Sequence, residues 1–235
     1  AENNERGAND YHGDDGPLFV SNMRIQRPIT DAWVEAAQAA GYPFNPDYNG
    51  ETQEGVGFFQ LTSKNGRRCS TAVAYLNPAR SRPNLQIVTH AQVQKVNIQN
   101  GVAIGVTYKD RSGMEVVAKA NREVILSGGS INSPQLLMLS GIGEAAQLQE
   151  HGIEVKKDLN GVGKNMQDHL QARLVYKCNE PTLNDEVGSL FGQAKIGLKY
   201  LMNRTGPMTM AASLATGFMK TRKDLETPDV QFHVQ

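Results

Sequence analysis

The stretch Ser127-Gly128-Gly129-Ser130-Ile131-Asn132-Ser133-Pro134-Gln135-Leu136-Leu137-Met138-Leu139-Ser140-Gly141-Ile142-Gly143 decides how the chain is read. A buried strand, Val124-Ile125-Leu126, is predicted to run directly into it, and a helix from Asn132 or Ser133 to Leu139 to follow. Strand, glycine turn and helix together place backbone N–H groups near an anionic ligand. The glycines permit close approach of the backbone, and the helix N-terminus carries donors with no intrahelical partner. Pro134 is read as sitting early in the helix, where its missing N–H costs nothing. Leu136 to Leu139 would bury the helix against a sheet, and Ser140-Gly141-Ile142-Gly143 gives a tight exit. Taken alone, such a glycine turn is most often an ordinary strand-to-helix connection.

Upstream lie several short strand-like runs: Leu85 to Thr89, Val93 to Ile98, Val102 to Tyr108, Glu115 to Ala118 and Glu123 to Leu126. Asn100-Gly101 between two of them is a strong hairpin turn, and Asp110-Arg111-Ser112-Gly113 marks a second. The pattern is a β-meander leading into the buried strand. Before it come a polar, glycine-rich loop from Ala1 to Ser21 with a short strand at Leu18-Phe19-Val20, and a helix from Asp31 to Ala40 capped by Thr30. A loop from Tyr42 to Gly57 and a short helix from Ser70 to Leu76 follow. Downstream, a helix is expected over Glu144 to His151 and a strand from Leu170 through Tyr176. A helix from Val187 to Met202 and strands over Ser213 to Lys220 and Val230 to Gln235 complete the reading.

The chain has 235 residues, with 24 basic and 24 acidic side chains. That balance gives no reason to expect a polyanion partner, so nucleic-acid binding is not expected. The two cysteines, Cys69 and Cys178, are far apart and do not make a clustered metal site; no metal is expected. They read as free thiols of a reducing cytoplasm, with a structural disulfide as the other option. No apolar run is long enough to span a bilayer, and nothing at the N-terminus resembles a signal peptide.

The string from Gly128 to Gly143 resembles the second signature of the glucose–methanol–choline (GMC) oxidoreductases. Asn65 to Ala72 with Ala74-Tyr75-Leu76 is similar to a family segment ahead of the meander, and Asn84 to Val96 to the family's adenine-side strand pair. Gly161-Val162-Gly163-Lys164-Asn165-Met166-Gln167-Asp168-His169 looks like a further family element. Four matches in the correct order cover most of the chain, which is similar to the central part of bacterial choline and alcohol dehydrogenase-like members.

The resemblance implies the cofactor FAD and hydride transfer from the CH–OH group of an alcohol to flavin N5, with oxygen or another compound as electron acceptor. It implies that the backbone of Val93 meets the adenine and that Ser127, Gly128 and Gly129 pack near the dinucleotide. Val93 also reads as a plain buried strand valine, and the turn as purely structural. His233, in Pro228-Asp229-Val230-Gln231-Phe232-His233, resembles a strand histidine brought towards the substrate alcohol, where it would stabilise a developing alkoxide. It reads equally as solvent-facing, because strand alternation does not say which face it occupies. Choline-oxidising relatives have a glutamate two residues after the Asp-His pair; here the position is Gln171, which removes most of the attraction for a trimethylammonium group and favours a neutral alcohol. Asp168 and His169 read as a polar structural junction rather than an acid–base pair, and His90 and His151 as ordinary. No catalytic residue is assigned within the chain. The family's histidine base is expected downstream of Gln235 and its Gly-x-Gly-x-x-Gly motif upstream of Ala1, so the chain is expected to be a fragment, inactive alone.

The fold class expected is mixed α/β (α+β): part of an FAD-binding Rossmann-like domain with its β-meander, plus part of an antiparallel-sheet substrate domain. The expected divisions are 1–62, a cap and substrate-domain edge; 63–165, the second half of the FAD-binding domain; and 166–235, the start of the substrate domain. Rival readings are a non-catalytic or degenerate flavoprotein fragment or binding module, a hydroxynitrile-lyase-type member of the same family, and an unrelated β-meander sugar-binding domain.

Overall fold

The structure is a computed structural model describing residues 1–235. In chain order the strands are β1 (Glu2–Asn4), β2 (Leu18–Asn22), β3 (Gly55–Phe58), β4 (Gln60–Leu61), β5 (Ser63–Lys64), β6 (Arg67–Arg68), β7 (Gln92–Gln99), β8 (Val102–Lys109), β9 (Glu115–Lys119), β10 (Ile142–Gly143), β11 (Lys157–Asp158), β12 (Ala215–Met219) and β13 (Val230–Val234). The helices are α1 (Pro28–Ala39), α2 (Asn77–Ala79), α3 (Gly129–Leu139), α4 (Ala145–Glu150), α5 (Leu183–Val187) and α6 (Leu190–Asn203), with a π-helical turn at Ala72–Leu76. The mixed α/β class is as expected, carried by several small sheets.

The chain divides into two compact units: Ala1–Leu85 together with Val175–Gln235, and Gln86–Leu174. The expected divisions fall earlier on both sides. Residues after 62 stay with the first unit because β5 and the π-helical turn pack on β2. Residues 1–62 and 166–235, read as separate regions, contribute to one sheet: β12 pairs antiparallel with both β13 and β3.

That sheet carries the core of the first unit. Val56 and Ala215 are fully buried and Val34 nearly so, with Met219 beside them and Trp33, Ala37 and Phe58 packed around. The buried valine and methionine side chains each contribute about 1.5–3 kcal/mol. Helix α1 covers one face of the sheet. It begins earlier than read: Pro28 takes its first turn, where a fixed φ suits the helix, Arg27 is the N-cap, and Thr30 lies buried inside rather than capping.

In the second unit β7, β8 and β9 form the expected antiparallel meander. Asn100 and Gly101 make the hairpin turn with φ of 50° and 78°, the left-handed pair such a turn demands. Three expected strands are not formed. Leu85–Thr89, Glu123–Leu126 and Leu170–Tyr176 form no regular element and pair with no neighbour. Ile125 is 77% exposed and Leu170 fully so. A strand exists only through hydrogen bonds to another, and this chain provides no partner for these runs. Helix α3 starts at Gly129, earlier than expected, so Pro134 lies inside the helix rather than in its first turn. The helix expected from Val187 to Met202 is α6, which starts three residues later, where the Ser189 hydroxyl accepts a hydrogen bond from Gly192 N–H and caps it; α5, just before it, was not expected.

Candidate functional site

Helix α3 packs against β7, joining the two segments from which a cofactor site was expected. The tie is Ser140, 3% exposed: its hydroxyl accepts the Val96 N–H at 2.8 Å and donates to the Leu136 carbonyl at 2.5 Å. The third matched segment packs on the same helix, since a Cβ on Gly163 would stand 3.3 Å from the Met138 methyl.

Val93 lies near the start of β7, half-buried and opposite Tyr108. Strand β7 is an edge of the meander, so its outer backbone edge meets no other strand. Ser127, Gly128 and Gly129 are exposed. The chain enters α3 through Gly129 at φ +84°, with open space where a Cβ would project. The Gly128 N–H donates to the Ser133 hydroxyl, and no side chain caps the helix. The first-turn amides are therefore available to an anion. An open turn, uncapped amides and a free strand edge fit the dinucleotide of the FAD that the resemblance implies.

Asp168 and His169 do not form a carboxylate–imidazole pair. The Asp168 carboxylate accepts the backbone N–H of His169 instead. Gln171 is exposed in the segment that follows and belongs to the second unit, whereas His233 belongs to the first.

For His233 the sheet determines the face. Phe232 packs on Trp33 of α1 with ring centroids 6.1 Å apart, and Gly217, opposite Phe232, leaves the space Trp33 fills. His233 therefore projects from the other face, where it is exposed. There its ring stacks on Phe59, 5.5 Å between centroids and 22° between planes. Phe59 meets Tyr48 edge-on at 5.9 Å, and Tyr48 meets Phe218 at 5.2 Å. Burial pushes the Tyr48 hydroxyl up from its ordinary pKa, against a hydrogen bond with the Gln60 backbone that lowers it. The Ser213 hydroxyl lies 3.4 Å from Nδ1 of His233.

Sequence reasoning missed Ser213, Phe59 and a further histidine, His12. Its Nδ1 lies 2.6 Å from Glu2 and its Nε2 2.9 Å from Asp47, with the side chain 8% exposed. Burial alone would lower its pKa; hydrogen bonds to the two carboxylates, and their charges, outweigh that and raise it. Nowhere do three His, Cys, Asp or Glu side chains converge as a metal site would need. Cys69 and Cys178 are free thiols. No helix is long and apolar enough to cross a membrane.

The sequence profile described as GMC oxidoreductase matches residues 5–171. The mitochondrial choline dehydrogenase of Mus musculus is 44% identical over 99% of this chain and 39% of its own length. The alcohol dehydrogenase (acceptor) of Pseudomonas putida is 42% identical over 99% of this chain and 43% of its own. The chain thus spans roughly two fifths of these relatives. Among solved structures, an FAD-dependent oxidoreductase from Chaetomium thermophilum superposes with a TM-score of 0.77 at 27% identity, over 88% of this chain and 37% of that one. Pyridoxine 4-oxidase from Mesorbium loti gives 0.76 at 26% identity, over 93% of this chain and 39% of that one.

Proposed function

The chain belongs to the GMC oxidoreductase family, and on that premise we propose that it forms part of an FAD-dependent enzyme that oxidises the CH–OH group of a small alcohol. The observation that carries the reading is the open Ser127–Gly129 turn leading into an uncapped α3 beside the free edge of β7. When bound, FAD supplies the hydride acceptor. The chain's own residues hold and orient. The Val93 backbone would hold the adenine, and the amides after Gly128 would hold the dinucleotide phosphates. His233 offers a ring N–H to the substrate oxygen as its charge develops.

Gln171 in place of a carboxylate favours a neutral alcohol over a quaternary ammonium one. The electrons pass finally to oxygen or another acceptor. Two free thiols fit a reducing compartment, and the cytoplasm is the location proposed.

The test is the flavin content of the intact protein. Gly129→Val places a branched side chain at φ +84° in the open turn, and it should lower bound flavin absorbance while circular dichroism stays unchanged. Gly161→Ala, an open position without positive φ, is the control. Equal flavin content in both variants would remove the turn from the site. Separately, His233→Ala should lower turnover of an alcohol, and unchanged kinetics would remove His233.

A further inference from the structure

We infer that Ser213 and Phe59 are positioning residues that hold the His233 imidazole as its Nε2–H tautomer, so that Nε2–H is the group presented to the substrate oxygen. The inference rests on the reading of His233 given above and adds which nitrogen acts and what fixes it.

Three observations support it. First, the strand register sends Phe232 to Trp33 and His233 to the opposite, open face. Second, Ser213 is 6% exposed, and its hydroxyl has one side-chain partner, Nδ1 of His233. A buried hydroxyl hydrogen left without an acceptor costs free energy. A neutral imidazole has a single acceptor nitrogen. If Ser213 donates to Nδ1, the ring proton must sit on Nε2. The opposite arrangement, Nδ1–H donating to the serine oxygen, leaves the serine hydrogen without a partner.

Third, one face of the ring is braced, which disfavours the flip that would exchange Nδ1 with Cδ2. Phe59 lies nearly parallel to it, and Phe59 is itself braced by Tyr48 and by its backbone N–H on the Leu214 carbonyl at 3.2 Å. The residues flanking the imidazole, Phe59 and Ser213, are thus joined through neighbouring backbone. With Nδ1 engaged by Ser213, Nε2 is the nitrogen left for a substrate. An Nε2–H there donates to an alcohol or alkoxide oxygen, whereas a bare Nε2 would repel the lone pairs that develop on it.

The test uses the intact protein labelled with 15N-histidine. His233 signals are assigned by their loss in His233→Gln, and the tautomer is read from two-bond 1H–15N correlations. The expected spectrum shows the Nε2–H form, and a predominantly Nδ1–H ring in the unsubstituted protein would overturn the inference without any variant. Ser213→Ala should give a mixture of tautomers and lower kcat by about tenfold, the scale of one neutral hydrogen bond, with KM little changed. Ser213→Thr should restore both. Phe59→Leu should broaden or split the ring signals. If Ser213→Ala leaves spectrum and kcat unchanged while His233→Gln lowers kcat, the positioning role is wrong and the reading of His233 stands. If His233→Gln leaves kcat unchanged, the parent reading fails and this one with it.

Discussion

Ser140 and Val96 are joined by a hydrogen bond of 2.8 Å from the strand amide to the serine hydroxyl, both residues buried and 44 positions apart. It fastens the helix after the glycine turn to the edge strand of the meander, so the two segments proposed to hold the dinucleotide share one anchor. Ser140→Ala leaves a buried N–H without a partner. The expected loss is about 1–3 kcal/mol, read as a lower denaturant midpoint with unchanged slope, and faster hydrogen exchange at the Val96 amide. Exchange as slow as before would show that the anchor is dispensable.

Gly105 sits in β8 at φ +152°, and a Cβ there would stand 2.2 Å from the Ala118 carbonyl. Gly105→Ala must therefore push β9 away as well as strain the backbone, the strain alone being about 1–3 kcal/mol. A thermal melt should show a clear fall in midpoint. Gly101→Ala, in a turn with nothing near it, should show strain alone and a smaller fall.

His12 between Glu2 and Asp47 gives the first unit a pH dependence of defined sign. Its folded pKa is raised above the ordinary histidine value of 6.5. The stabilisation is therefore fully present below the unfolded pKa and is lost as pH rises through the folded one. Limited proteolysis of the N-terminal loop should accelerate as pH rises through that window. His12→Gln should cleave at one rate across it; a persisting step would assign the effect to another group.

Arg27 and Glu186 form a two-pronged ion pair across 159 positions, with Glu186 42% exposed. The hydrogen bond from Arg27 holds the Glu186 carboxyl below the usual carboxylate range, partial burial opposing it. Because solvent screens the pair, a double-mutant cycle with Arg27→Ala and Glu186→Ala should return a coupling of no more than about 1 kcal/mol. The coupling should vanish as pH falls through the depressed folded value. A coupling well above about 1 kcal/mol would refute the screening argument.

Gln171→Glu places a carboxylate where the family resemblance implies a charge for a quaternary ammonium substrate. In the intact protein it should lower KM for choline relative to a neutral alcohol of similar size. A change that lowers neither KM selectively would separate position 171 from the substrate site.

The sequence exposed most of what is local and little of what is not. The β7–β9 meander was legible because Asn100-Gly101 and Asp110–Gly113 fix the turns themselves; the Asp110 carboxylate accepts the Ser112 and Met114 amides. Val124-Ile125-Leu126 has strand composition yet forms no strand, because composition cannot supply a partner. The start of α6 carried a readable signal, the capping serine Ser189, which the expected start at Val187 passed over; α5 carried another, Thr182 followed three residues later by Asp185. His12 had no signal, since its partners lie 10 and 35 residues away, Glu2 at the start of β1 and Asp47 in a loop without period. For His233 the sequence supplied the residue, and its pairing with Thr216 supplied the face.

In the first unit's sheet, Gly57 and Thr216 are partners in register, and the whole of Gln86–Leu174 lies between them in the chain. On the ribosome β3 emerges long before β12 exists to pair with it, while the meander can close as soon as its own hairpins are made. Synthesis order therefore favours the second unit as an early, self-contained foldon. The apolar residues of β3 and α1 must wait for the last quarter of the chain, which makes that interval the one in which a holding chaperone has most to do.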